Sequence, residues 1–138
     1  MKKIIILALG MISLNLFASC DKFITYHELP QKAQAFIAEY FNGIDVLSVK
    51  YDDGEYEVVL ANGNEIDFDR AGEWKDVDCH TMPVPAGIVP QAIATYVHEK
   101  FPDNFIVQIE KDMNRYKVDL NNDLDLVFDK NGNFLHVD

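Results

Sequence analysis

The chain has 138 residues, 49% of them apolar, and a formal net charge of −11. That apolar share excludes wholesale disorder, and the length allows one ordinary domain or two small coupled halves. The acidity, with no Lys/Arg cluster to offset it, excludes a nucleic-acid partner, whose phosphates require concentrated positive charge.

Met1-Lys2-Lys3 is a positive start, Ile4 to Phe17 an apolar run, and Ala18-Ser19-Cys20 a stretch of small residues before Asp21-Lys22. This order predicts a secretory signal over residues 1–19, too short and wrongly flanked for a lasting membrane span. Phe17-Ala18-Ser19-Cys20 also reads as a lipobox, although Phe17 is not the usual aliphatic residue at its first position. A lipid on Cys20 would make it the mature first residue and the protein's sole hold on a membrane. Simple cleavage nearby is the alternative. Loss of Lys2 and Lys3 takes the net charge from −11 to −13. Residues 20–28 are expected to be a mobile tether. Cys79 is then left without a disulfide partner, since Cys20 would be lipidated or mobile.

A repeat with an offset of 60 residues fills the rest. Leu29-Pro30-Gln31 matches Val89-Pro90-Gln91, and Phe41 matches Phe101. Tyr56, Val58 and Leu60 match Tyr116, Val118 and Leu120, and Phe68-Asp69 matches Phe128-Asp129. Gly72 matches Gly132, Trp74 faces Phe134, and Val77-Asp78 matches Val137-Asp138. The matches fall on apolar and turn positions, where a shared fold constrains both copies.

In chain order, Ala33, Phe36, Ile37, Tyr40 and Phe41 form one helical stripe, with Pro30 near its start and Gly43 past its end. Alternating segments around Leu47–Tyr51, Tyr56–Leu60 and Ile66–Phe68 follow, with Asn62-Gly63 as a hairpin turn, and then Trp74–Asp78. Thr81–Gly87 is a Pro-containing linker. The second copy repeats the order: a helix bearing Ile93, Tyr96, Val97 and Phe101, then strands at Ile106–Glu110, Arg115–Asn121, Leu124–Asp129 and Phe134–Val137. The pattern predicts an α+β fold, a tandem repeat of helix plus four-stranded antiparallel meander. The helices pack on one face of a curved sheet of about eight strands. The expected units are residues 29–80 and 89–138, joined by 81–88 and coupled into one domain over 22–138, because a four-stranded half is marginal alone.

The run Leu29-Pro30…Phe41, Tyr56-x-Val58-x-Leu60-x-Asn62-Gly63, Phe68-Asp69-x-x-Gly72-x-Trp74, repeated after Pro90, resembles the PepSY-like proteins. These are also called β-lactamase-inhibitor-protein-like and are exported by Bacteroides-type bacteria. The resemblance covers nearly the whole mature chain and implies two helix-plus-strand repeats with the helices on one face of a curved sheet. It implies a binding role: the inhibitor relative grips an enzyme with its concave sheet face, and PepSY domains are thought to restrain peptidases. It supplies no catalytic residue.

No nucleophile elbow, zinc-protease helix or phosphate loop is present, so neither an enzyme nor a cofactor is expected. His27, His80, His98 and His136 are scattered. Cys79-His80 with Met82 gathers soft ligands but lies beside the linker, and no metal site is expected there. Asp119-x-Asn121-x-Asp123-x-Asp125 lacks the glycine and distal glutamate of a calcium loop and reads as a strand edge and turn. Glu65, Asp67 and Asp69 read as a solvated strand face. The candidate partner-binding surface is the exposed sheet face, with Glu57, Val59, Asp67, Lys117, Asp119 and Val127. Trp74 and Phe134 are expected in the core from the usual burial of large aromatics, with exposed aromatic anchors as the alternative, since the hairpin before each leaves their facing open. The expected function is an exported monomer that binds a protein or peptide; a small-ligand or metal-binding envelope protein is the alternative.

Overall fold

The structure, a computed structural model, describes residues 21–138; the expected signal segment and Cys20 lie outside the described residues. Among the described residues nine strands and two α-helices follow one another as β1 (Lys22–Ile24), α1 (Gln31–Tyr40), β2 (Val46–Asp52), β3 (Glu55–Leu60), β4 (Glu65–Phe68), β5 (Trp74–Asp78), α2 (Gln91–Lys100), β6 (Ile106–Lys111), β7 (Arg115–Leu120), β8 (Asp125–Asp129) and β9 (Phe134–Val137). All nine strands form one antiparallel sheet in sequence order, β1 to β9. The α+β repeat expected from the sequence is therefore the fold, with α1 and α2 in identical places of the 60-residue repeat.

The helices form where the apolar stripe recurs at helical spacing. Each begins immediately after a proline, Pro30 or Pro90, whose carbonyl accepts the first turn's N–H groups. Ala33 and Ile37 of α1, and Ile93 and Val97 of α2, are buried against the sheet. In the strands, period-2 alternation sends every second side chain to the helices. Val49, Val58, Ile66, Val77, Ile109, Val118 and Leu126 stand opposite one another in turn from β2 to β8, crossing both repeats without a break. All are at most 2% exposed, and burying such a side chain is worth about 1.5–3 kcal/mol relative to exposure. This row is why the halves share one core.

Aromatic packing repeats as well. Phe36 of α1 meets Phe68 edge-on at 5.6 Å and Trp74 at 6.4 Å; Tyr96 of α2 meets Phe128 edge-on at 5.4 Å and stacks on Phe134 at 4.7 Å. Trp74 is thus core, as expected, and Phe134 is half-buried against it. Bulges interrupt the register at the same places in both halves, between Val46 and Ser48 and between Ile106 and Gln108, and again before Phe68 and before Phe128. Bulges bend strands and increase twist, which curves the sheet around its helices. Gly72 and Gly132 lie at φ +90° and +86° in turns pressed under the helix starts: a Cβ at either would stand 2.8 Å from Pro30 Cβ or Ala92 Cβ.

The structure departs from expectation at the start of the chain. Part of the segment expected as a tether is a ninth strand, β1, paired with β2 through Lys22–Tyr51, Phe23–Lys50 and Ile24–Val49. Ile24 extends the apolar row, and the Glu28 carboxylate accepts the Thr25 backbone N–H and hydroxyl at 2.8 and 3.0 Å, fixing the turn that follows. A three-residue strand with two exposed side chains carries too little alternation to be seen in sequence.

Candidate functional site

The face of the sheet away from the helices carries the outward side chains of every strand. Their register places Lys50, Glu57, Asp67, Asp76, Glu110, Lys117, Val127 and His136 directly opposite one another in one row from β2 to β9. Four consecutive members, Glu57, Asp67, Asp76 and Glu110, are acids, with a lysine at each end. A second row runs Ser48, Val59, Glu65, Asp78, Gln108, Asp119 and Asp125. Neighbouring strands lie about 4.8 Å apart, so each acid sits within direct reach of the next, an arrangement that destabilises like charges.

The acids respond to that crowding. Asp67 is half-buried and pushed up to about 6, first by desolvation and then by the charges of Glu57, Glu55 and Glu65. Asp76 is also pushed up to about 6 by burial, then by Glu110, Asp67 and Asp78, against the opposing hydrogen bond from Gln108 Nε2 at 3.0 Å. Asp119 reaches about 6 by burial and its neighbour Asp125. Lys75, Lys111, Arg115 and Lys117 line the groove over this row, but none forms an ion pair with the central acids. Lys50 bridges Asp21 and Glu57 at 3.3 and 3.4 Å, Lys117 reaches Asp138 at 3.3 Å and Asp125 at 3.8 Å, and Lys75 pairs with Glu55. Among the described residues no Lys, Arg or His nitrogen lies within ion-pair distance of Asp67, Asp76 or Glu110. The groove has a volume of about 470 Å³, with Asp67, Asp76, Glu110, Lys117, Val127 and His136 among its walls.

All six residues singled out from sequence lie on this one face. Glu57 and Asp67 are directly opposed, as are Lys117 and Val127; Val59 faces Glu65, and Asp119 faces Asp125. Val127 differs from expectation in one respect. It is only 3% exposed, covered between Lys117 and His136, so it forms groove floor rather than an accessible apolar contact. Asp76 and Glu110 were not singled out. Bulges beside Trp74 in β5 and at the start of β6 break the alternation there, so the sequence pattern leaves their facing open, and only the β5–β6 pairing brings them together and joins the acids of the two halves.

The other motifs resolve into turns and core. Asn121–Asp123 forms the hairpin turn equivalent to Ala61–Gly63, with Asp123 at φ +70° and its N–H on the Leu120 carbonyl. Asp69 leaves the strand face to accept the Ala71 and Glu73 N–H groups at 2.9 Å. Cys79 is buried at 2% exposure, its thiol pushed up to about 11 by desolvation, whereas the exposed His80 ring contacts the Gly63 carbonyl at 2.9 Å and lies near Glu65 and Asp78. The two therefore do not converge on one ion.

Comparison with known proteins agrees with this architecture. A family model described as beta-lactamase-inhibitor-like, PepSY-like matches residues 19–58 and 54–136. No curated protein matches significantly. A solved structure from Bacteroides thetaiotaomicron, provisionally named a calcium-regulated periplasmic protein, is 39% identical with a TM-score of 0.81, covering 86% of this chain and 96% of that one. Two solved proteins of Bacteroides vulgatus, both provisionally named periplasmic and one of unknown function, are 37% and 31% identical. Their TM-scores are 0.81 and 0.83, over 86% of this chain and 96% and 99% of theirs. The chain thus belongs to the beta-lactamase-inhibitor-like, PepSY-like family.

Proposed function

We propose that this is an exported, non-catalytic binding protein that holds a protein or peptide partner on its outer sheet face, with Lys or Arg side chains of the partner completing the acidic row. The observation that carries the reading is the run Glu57–Asp67–Asp76–Glu110, whose two middle members are partly buried and whose Asp67, Asp76 and Glu110 make no ion pair among the described residues. A partner's ammonium or guanidinium placed there would gain charge-assisted hydrogen bonds and remove repulsion already present in the free protein. Export is supported by the leader-like start of the sequence and by relatives named as periplasmic. The family's inhibitor-like description favours an envelope hydrolase as the partner.

Affinity capture from a native envelope fraction, with the chain from Asp21 onward as bait, tests this. A saturable protein partner that is lost on Asp67→Lys with Asp76→Lys supports the sheet face. Equal capture by the charge-reversed bait overturns it.

Calcium binding is the second reading, favoured by the provisional name of the Bacteroides thetaiotaomicron relative and by the oxygen ligands that calcium prefers. It ranks below the first because no group of three or more His, Cys, Asp or Glu side chains that could hold an ion is found among the described residues. Calorimetric titration with calcium, repeated on Asp119→Asn with Asp125→Asn, decides it: a saturable heat lost in the variant would bring it forward, and no heat removes it.

A further inference from the structure

The repeat makes the two ends of the sheet complementary to each other. Strand β9 is the 60-residue counterpart of β5, and β2 is the counterpart of β6. Within the chain, β5 and β6 pair through Asp76–Glu110, Val77–Ile109 and Asp78–Gln108. Translated by the repeat, the same register sets His136 opposite Lys50, Val137 opposite Val49 and Asp138 opposite Ser48. Among the described residues, β9 has no strand on its outer edge, and Val137 is 52% exposed although its counterpart Val77 is fully buried. The receiving edge of β2 is occupied by β1, which has only three residues. Its Ile24 holds the place opposite Val49, and its Phe23 is 73% exposed.

We infer that β9 is a strand donor for the β2 edge of a second copy of this chain, and that β1 is the cis strand that keeps this edge closed. An open edge presents unpaired backbone N–H and C=O groups, a template for another strand. A β9-to-β2 contact is heterologous, so displacement of β1 leads to head-to-tail assembly, not to a closed symmetric dimer. The contact would continue the apolar row from Leu126 and Val137 of one chain into Val49 of the next, as Val77 and Ile109 continue it within the chain. With β1 in place, its high local concentration keeps the protein monomeric.

The test uses the full mature chain with Ile24→Asp, which loosens β1 without removing it, and checks its fold by circular dichroism. The variant should show apparent mass rising with concentration in analytical ultracentrifugation. Mixed His136→Cys and Lys50→Cys copies in that background should form a disulfide dimer, and Val137→Pro should abolish both effects. A folded Ile24→Asp chain that stays monomeric, or one that crosslinks His136→Cys to itself as readily, overturns the inference. If Ile24→Asp does not fold, the decision falls to a peptide of residues 131–138 carrying cysteine at position 136, offered to the Lys50→Cys chain that also carries the milder Ile24→Ala, which weakens the hold of β1 on the edge. Capture above that of a scrambled peptide supports the inference, and equal capture overturns it.

Discussion

Asp67 and Asp76 stand directly opposite each other on β4 and β5, and both carboxyls are pushed up to about 6. Both side chains are partly buried, and acids surround both. A carboxyl whose folded pKa exceeds its unfolded value of about 4 stabilises the fold while protonated, fully below that value, and this contribution is lost as pH rises through about 6. The thermal midpoint should therefore fall between about pH 4 and pH 7. Partial exposure limits each residue to about 1 kcal/mol or less. Asp67→Asn should flatten the fall in a calorimetric pH series. Glu28, Asp112 and Asp129, lowered by backbone hydrogen bonds, act oppositely, but only in more acidic solution.

Asp76→Asn should separate stability from binding. At pH 8 it removes a like-charge opposition and keeps an acceptor for the Gln108 amide, so denaturant unfolding should show a gain of about 0.5 kcal/mol. Capture of the envelope partner should weaken in the same protein. A gain in stability with unchanged capture would argue that the row is an ordinary solvated face.

The shared apolar row predicts one unfolding transition. Ile109→Ala, in the second repeat, should cost about 2–5 kcal/mol. Trp74, the single tryptophan, is in the first repeat. Its fluorescence should shift in midpoint together with far-ultraviolet circular dichroism, and separate transitions would show that the halves unfold independently.

Two glycines should respond differently to alanine. Gly63 has open space around its Cβ position, so Gly63→Ala should cost about 1 kcal/mol for positive φ alone. Gly132→Ala adds a 2.8 Å clash with Ala92 and should cost measurably more by urea denaturation.

Cys79 should react slowly with a thiol reagent at pH 8 in the folded protein and rapidly after unfolding, since both burial and a thiol pushed up to about 11 deny it the thiolate form. Fast reaction in the native state would show that the loop after β5 opens.

The sequence by itself determined everything that depends on local periodicity. The 60-residue offset, the 3.6-residue stripe of Ala33, Phe36 and Ile37, the alternation through Tyr56, Val58 and Leu60, and the turn glycines were enough for the helix-plus-meander repeat and the identity of its outer face. Residues such as Glu57, Asp67 and Lys117 could be assigned to one face because side-chain facing has period two and needs no knowledge of the partner strand. Only the tertiary structure decided which strands meet. The pairing of β5 with β6 places Asp76 beside Glu110 and fuses two acidic halves into one row. The addition of β1 gives the sheet its ninth strand, and the neighbours Lys117 and His136 close over Val127. These relations are between residues far apart in the chain, fixed by strand register and by what covers each position, and no local pattern encodes either.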